Sequence, residues 1–155
     1  MESDSNITIK EVINSDELKK FVMFPHTLYK DSKYWVAPII KEELEVLNKE
    51  TNPVFNNAVA HYFLAYIDGE IVGRIAALIN WIEVKDLKKK KVRFGWFDFI
   101  DDQNVSKALL EKVIEIGKKN NLEFIEGPVG FSNMDKAGML IKGFEKKNTM
   151  ITMYN

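Results

Sequence analysis

A chain of 155 residues is long enough for one domain with a substantial core, and 46% apolar against 29% charged residues is a globular balance. The formal net charge of −1 gives no overall field that would draw the chain to nucleic acid or an anionic membrane, and the lack of cysteine removes disulfides, thiol nucleophiles and thiolate metal sites. Met1 to Ser5 is acidic and polar with no apolar run behind it, so no signal peptide is expected. No apolar stretch is long enough to span a bilayer, and a cytoplasmic protein without nucleic-acid or membrane partners is the expectation.

Ile7, Ile9 and Val12 suggest a first strand at a sheet edge over Ile7 to Val12. Ser15 or Asp16 can cap a helix running to about Phe24. Pro25 should interrupt it, because proline lacks the amide and clashes with the preceding turn, and His26 to Lys30 can resume as a second short helix. Trp35-Val36-Ala37-Pro38 reads as extended, Ile39 to Lys49 returns to helical spacing, and Asn52-Pro53 marks a turn. His61 to Tyr66 and Ile71 to Ile79 flank Asp68-Gly69, which favours the positive φ angles of a tight hairpin. The four lysines Lys88 to Lys91 read as a solvated loop rather than a nucleic-acid patch.

Val92 to Ile100 is a third main strand, dense in aromatics. Val105 to Lys119 is a helix with Val105, Leu109, Val113 and Ile116 as its buried stripe. Asp101 or Asp102 can cap it, and Asn120-Asn121 can supply the left-handed residue that ends it. Leu122 to Glu126 is a further strand, broken by Gly127-Pro128. Asn133 to Ile141 is a short helix or an ordered loop, and Thr149 to Tyr154 a final strand. His26 and His61 have no metal-ligand partner at useful spacing, so no metal is expected.

From residue 61 the order is β-β-β-α-β, the core order of the GNAT acyl-CoA-dependent acetyltransferases. Leu28-Tyr29 through Trp35-Val36-Ala37-Pro38, Asn52-Pro53-Val54-Phe55 and Gly69 to Ala77 resemble one uncharacterised bacterial branch of that superfamily. Phe94 to Asp98, Gly127-Pro128, Gly138 to Phe144 and Met153-Tyr154-Asn155 continue the resemblance. It implies a single GNAT-like domain over 1–155: an α/β fold of α+β type with a mixed, mostly antiparallel sheet, helices on both faces and a splayed parallel strand pair. Members of that branch run longer, so the resemblance also implies a short or truncated chain lacking C-terminal strands. An exposed last strand would need a partner, and a homodimer through that edge is expected.

The resemblance further implies transfer of an acetyl group from acetyl-CoA to a small-molecule or peptide amine. The splayed pair would be Val92–Ile100 and Leu122–Glu126, bringing Phe97, Phe99 and Ile100 to the donor. The diphosphate would face the turn before the helix, with contacts from Gln103, Asn104, Val105, Ser106 and Lys107. That turn departs from the superfamily pattern: it has no glycine, and Asp101 and Asp102 would repel an anion unless they simply cap the helix.

Asp98 and Glu126, at the C-terminal ends of the strands, are the candidate bases, and aromatic neighbours could raise the pKa of Asp98. The alternative for Asp98 is a side chain facing solvent or a local backbone bond. Tyr154 is the candidate acid if the last strand reaches the cleft, and packing otherwise. Arg74 is either an anion contact or an ion-pair partner, and Asn133 and Asp135 can line the acceptor pocket. The alternative function is a non-catalytic GNAT-scaffold binding or assembly module that has lost CoA chemistry.

Overall fold

The computed structural model describes residues 6–147. Strand β1 (Thr8–Glu11) leads into helix α1 (Ser15–Leu28), then α2 (Ile40–Leu47) and a 3-10 turn over Pro53–Asn56. The hairpin β2 (Ala58–Ile67) and β3 (Glu70–Asn80) follows, then the short helix α3 (Trp81–Lys85), β4 (Lys91–Phe99), α4 (Gln103–Lys119) and β5 (Phe124–Glu126). The sheet order is β1-β2-β3-β4-β5, antiparallel throughout except for the parallel β4–β5 pair. None of the helices in these residues is long and apolar enough to cross a membrane.

The start of α1 is set one residue earlier than expected. Asn14 is the cap, its side chain accepting from the Glu17 amide at 2.9 Å, while Glu17 accepts from the Ile13 amide at 2.8 Å. Two orphan amides are thereby satisfied reciprocally. Pro25 does not end the helix, which runs on through Leu28 and absorbs the expected second helix. A proline at 25 withholds the amide that would bond the Phe21 carbonyl. That carbonyl instead accepts from Arg74 Nη1 at 2.9 Å. A side chain from β3 thus supplies the missing donor.

Asp68 (φ 49°) and Gly69 (φ 86°) both adopt the left-handed conformation of the tight hairpin turn. Two apolar layers sandwich the sheet. On one face, Phe21, Val22 and Leu47 of α1 and α2 pack on Tyr62, Leu64, Ala76, Leu78 and Trp96. On the other, Val105, Leu109 and Val113 of α4 pack on Phe63, Ile75, Ile79 and Val92. Ile116 packs half-buried on the same layer, and beside it Gly117 is buried where a Cβ would stand only 3.0 Å from Val92 Cγ1.

The lysine run divides. Lys88 to Lys90 are exposed, whereas Lys91 begins β4 and is buried, its ammonium 2.6 Å from Glu126 and 3.6 Å from Glu83. The solvated-loop reading therefore fails for Lys91, since a buried ammonium needs carboxylate partners. Asn133 to Ile141 forms turns and no helix. The expected strand Thr149–Tyr154, and the homodimer argued from it, lie outside the described residues.

Candidate functional site

The site begins with an irregularity in β4. Arg74 pairs with Asp98 and Ala76 with Gly95, so the two residues Trp96 and Phe97 stand opposite the single Ile75. Trp96 takes φ 47°, a conformation that bulky side chains rarely adopt. The extra residue is a β-bulge. In a regular strand Trp96 and Asp98 would share a face with Val92 and Phe94, towards α4. The bulge shifts the alternation, and both turn to the α1/α2 side.

Asp98 meets two partners there. Arg74 reaches Oδ2 through Nε at 2.8 Å and Nη2 at 2.7 Å, and the Tyr29 hydroxyl donates to Oδ1 at 2.9 Å. Arg74 is 5% exposed, and its guanidinium also lies over the Phe21 ring, 5.1 Å from the centroid. Arg74 is thus an ion-pair partner of Asp98. Burial first, then the Asp98 charge and hydrogen bond, push the Tyr29 phenol well above its ordinary value, so it stays protonated.

A second group lies across the cavity. Glu43 of α2, 6% exposed, accepts from Trp96 Nε1 at 2.8 Å and pairs with the Lys136 ammonium. That ammonium sits 4.8 Å from the Trp96 ring centroid. Both groups open onto a cavity of about 540 Å³, whose apolar wall includes Pro25, Trp35, Pro38, Phe97, Met139, Leu140 and Phe144.

After β5 the chain still runs against β4: the Val129 amide donates to the Phe94 carbonyl at 2.8 Å. Gly95 allows this approach, since a Cβ there would lie 2.5 Å from the Val129 carbonyl oxygen. The residues beyond turn back over the cavity, and among the described residues Phe97 to Phe99 have no parallel neighbour.

The other expected site residues fall elsewhere. Glu126 faces Arg93, five residues before Asp98 and roughly 15 Å away at strand rise. It accepts from Lys91, and that bond holds its carboxyl below the usual range. Unlike Asp98, Glu126 does not line the cavity. Asn133 accepts from Arg93 Nη2 at 2.6 Å, and Asp135 accepts from the Phe131 amide at 3.1 Å. Both hold the loop after β5, and neither lines the cavity.

Asp102 caps α4, its Oδ1 accepting from the Asn104 amide at 2.8 Å, and Ser106 donates to the Gln103 carbonyl at 2.9 Å. The Val105 side chain is in the core, so of the first-turn amides those of Val105 and Gln103 remain for an anion, beside the exposed Lys107. Tyr154 lies outside the described residues. His61 bonds Glu11 at 2.7 Å, His26 meets Trp35 edge-on, and no metal-binding group of His, Cys, Asp and Glu occurs among the described residues.

Glu43, Lys136 and the site role of Tyr29 were not legible in the sequence. Glu43 carries the one available signal, a carboxylate in the stripe of α2 that also holds Leu47.

The described chain has the fold of the GNAT acetyltransferases. The crystal structure of a predicted acetyltransferase with acetyl-CoA from Clostridium acetobutylicum superposes with a TM-score of 0.57 at 13% identity, covering 77% of this chain and 79% of that one. Protein YghO of Escherichia coli (strain K12) is 32% identical over 137 residues, 88% of this chain and 35% of YghO. Bacterial ceramide synthase of Caulobacter vibrioides (strain NA1000 / CB15N) is 27% identical over 144 residues, 92% of this chain and 38% of that protein. The chain thus spans little more than a third of the length of these curated relatives. No protein-family model matches it.

Proposed function

We propose that the protein is an acyl-CoA-dependent N-acyltransferase, transferring an acetyl or longer acyl group to a small-molecule or peptide amine. The observation that carries this reading is the bulge at Trp96. It turns Asp98 into a cavity beside the stretch of β4 that has no parallel neighbour among the described residues. The shared fold of an acetyltransferase with acetyl-CoA supports the donor. The relative named as a ceramide synthase supports an amine acceptor, because a ceramide is an N-acyl amide.

In this reading Phe97, Phe99 and Ile100 meet the acyl donor, which supplies an activated thioester. The first-turn amides of α4 and Lys107 meet its diphosphate. Asp98 takes the proton of the amine, with Arg74 and Tyr29 fixing the carboxylate. Tyr29 lines the cavity and relays that proton: its hydroxyl gives one to the leaving sulfur as protonated Asp98 hands one back to the phenol oxygen, so the phenol is not left ionised. Glu126 has no part in the chemistry.

One observation favours a second reading, a GNAT scaffold that binds without CoA chemistry. Asp102 occupies the Asn104 amide and, with Asp101, sets negative charge where the diphosphate would lie.

Thermal unfolding with and without excess acetyl-CoA separates the two. A ligand of the native state at a hundred times its dissociation constant adds about 2.7 kcal/mol and raises the melting temperature. The enzyme reading expects that shift and, with an amine panel, release of CoA thiol that Asp98→Asn abolishes while the shift remains. No shift with acetyl-CoA or longer acyl-CoAs at millimolar concentration would leave the scaffold reading.

A further inference from the structure

We propose that the cavity contains a subsite for a primary ammonium group on an unbranched alkyl stem, formed by the Trp96 ring and the Glu43 carboxylate and filled in this structure by Lys136. The two walls belong to different elements, β4 and α2, and are locked together by the bond from Trp96 Nε1 to Glu43 at 2.8 Å. Neither wall is part of the loop that carries Lys136, although Phe131 of that loop packs against the Trp96 ring with centroids 5.8 Å apart. The Lys136 ammonium pairs with Glu43 and lies 4.8 Å from the indole centroid. A tryptophan face is the best aromatic surface for a cation.

A carboxylate as buried as Glu43 requires a cation. Arg74 cannot supply it, because its guanidinium is held by Asp98 and the Phe21 carbonyl. Lys136 is itself about one-third exposed and opens on the cavity, so its ammonium can be exchanged for another. Met139 and Leu140 line the same cavity and suit an alkyl stem. Resting on the acyltransferase reading, this subsite holds, in place of Lys136, an ammonium group of the acceptor other than the amine that Asp98 deprotonates. The binding itself is independent of that reading.

Lys136→Ala removes Cγ, Cδ, Cε and Nζ, the heavy atoms of n-propylammonium. The variant should melt below the parent. Millimolar n-propylammonium chloride should restore much of the loss in the variant and do little to the parent. n-Propanol and sodium chloride at equal concentration should restore nothing, and Glu43→Gln in the variant should abolish the rescue. Equal responses of variant and parent, or equal rescue by propanol, would overturn the subsite. Should the alanine variant fail to fold, refolding yield replaces melting: recovery with the ammonium but not the alcohol upholds the proposal, and recovery with neither overturns it. Acetyl-CoA shifts are measured separately, so a failed subsite and a failed enzyme reading give different results.

Discussion

Arg74 joins a helix irregularity to the site. It completes the Phe21 carbonyl that Pro25 leaves without a donor, and with the same guanidinium holds Asp98. Arg74→Met would leave the carbonyl without a donor and the carboxylate with the Tyr29 hydroxyl alone. A cost of about 3 kcal/mol is expected, at the low end for a broken buried pair because the Asp98 side chain is 20% exposed. Urea unfolding checks it, and an unchanged midpoint would mean that the pair contributes nothing. Glu126 differs in kind. Its carboxyl is depressed by the Lys91 hydrogen bond, so its stabilisation is complete above the unfolded value of 4.5 and fades as pH falls through the lower folded value. With the side chain 43% exposed, Glu126→Gln should cost under about 1 kcal/mol at neutral pH. In a series of urea midpoints the gap between variant and parent should narrow as pH falls below 4.5 and close once it passes below the depressed folded value.

The element that makes the site is β4 together with the chain after β5. Gly95→Ala would set a Cβ 2.5 Å from the Val129 carbonyl oxygen, a backbone atom that moves only if the two segments part. A loss of about 2 kcal/mol is expected, within the range of overpacking, with a matching drop in any acetyl-CoA affinity. At the start of α4, Asp102→Ser keeps a good cap and removes a charge. If a diphosphate docks there, acetyl-CoA should bind more tightly by about 0.3–1 kcal/mol in titration calorimetry. Unchanged or weaker binding would show that the anion lies elsewhere.

Across the molecule, the long central strands are covered on both faces, while β5 is three residues long, with Phe124 and Ile125 at 49% and 40% exposure. Amide hydrogen exchange should therefore be slowest in β2, β3 and the first half of β4. It should be fastest in residues 132–147, whose bonds are mostly local turns. Slow exchange in 132–147 would mean that this segment packs more firmly on the cavity than its exposed Ile141 and Phe144 suggest.

Local chemistry explains what was readable along the chain. Asp68-Gly69 announced its hairpin because its positive φ angles are a property of two residues. The helix α4 announced itself because Val105, Leu109 and Val113 recur at its own period. The β-β-β-α-β order followed, and with it the fold. The site was less legible, because its features depend on partners distant in sequence. Pro25 reads as a helix stop until Arg74, 49 positions on, supplies the donor it lacks. Asp98 reads as sharing a face with Val92 and Phe94 until pairing with β3 inserts a bulge at Trp96 and reverses the alternation. Glu43 and Lys136, 93 positions apart, have no common pattern in the chain, and only the packing of α2 and the loop after β5 on the Trp96 ring brings their charges together.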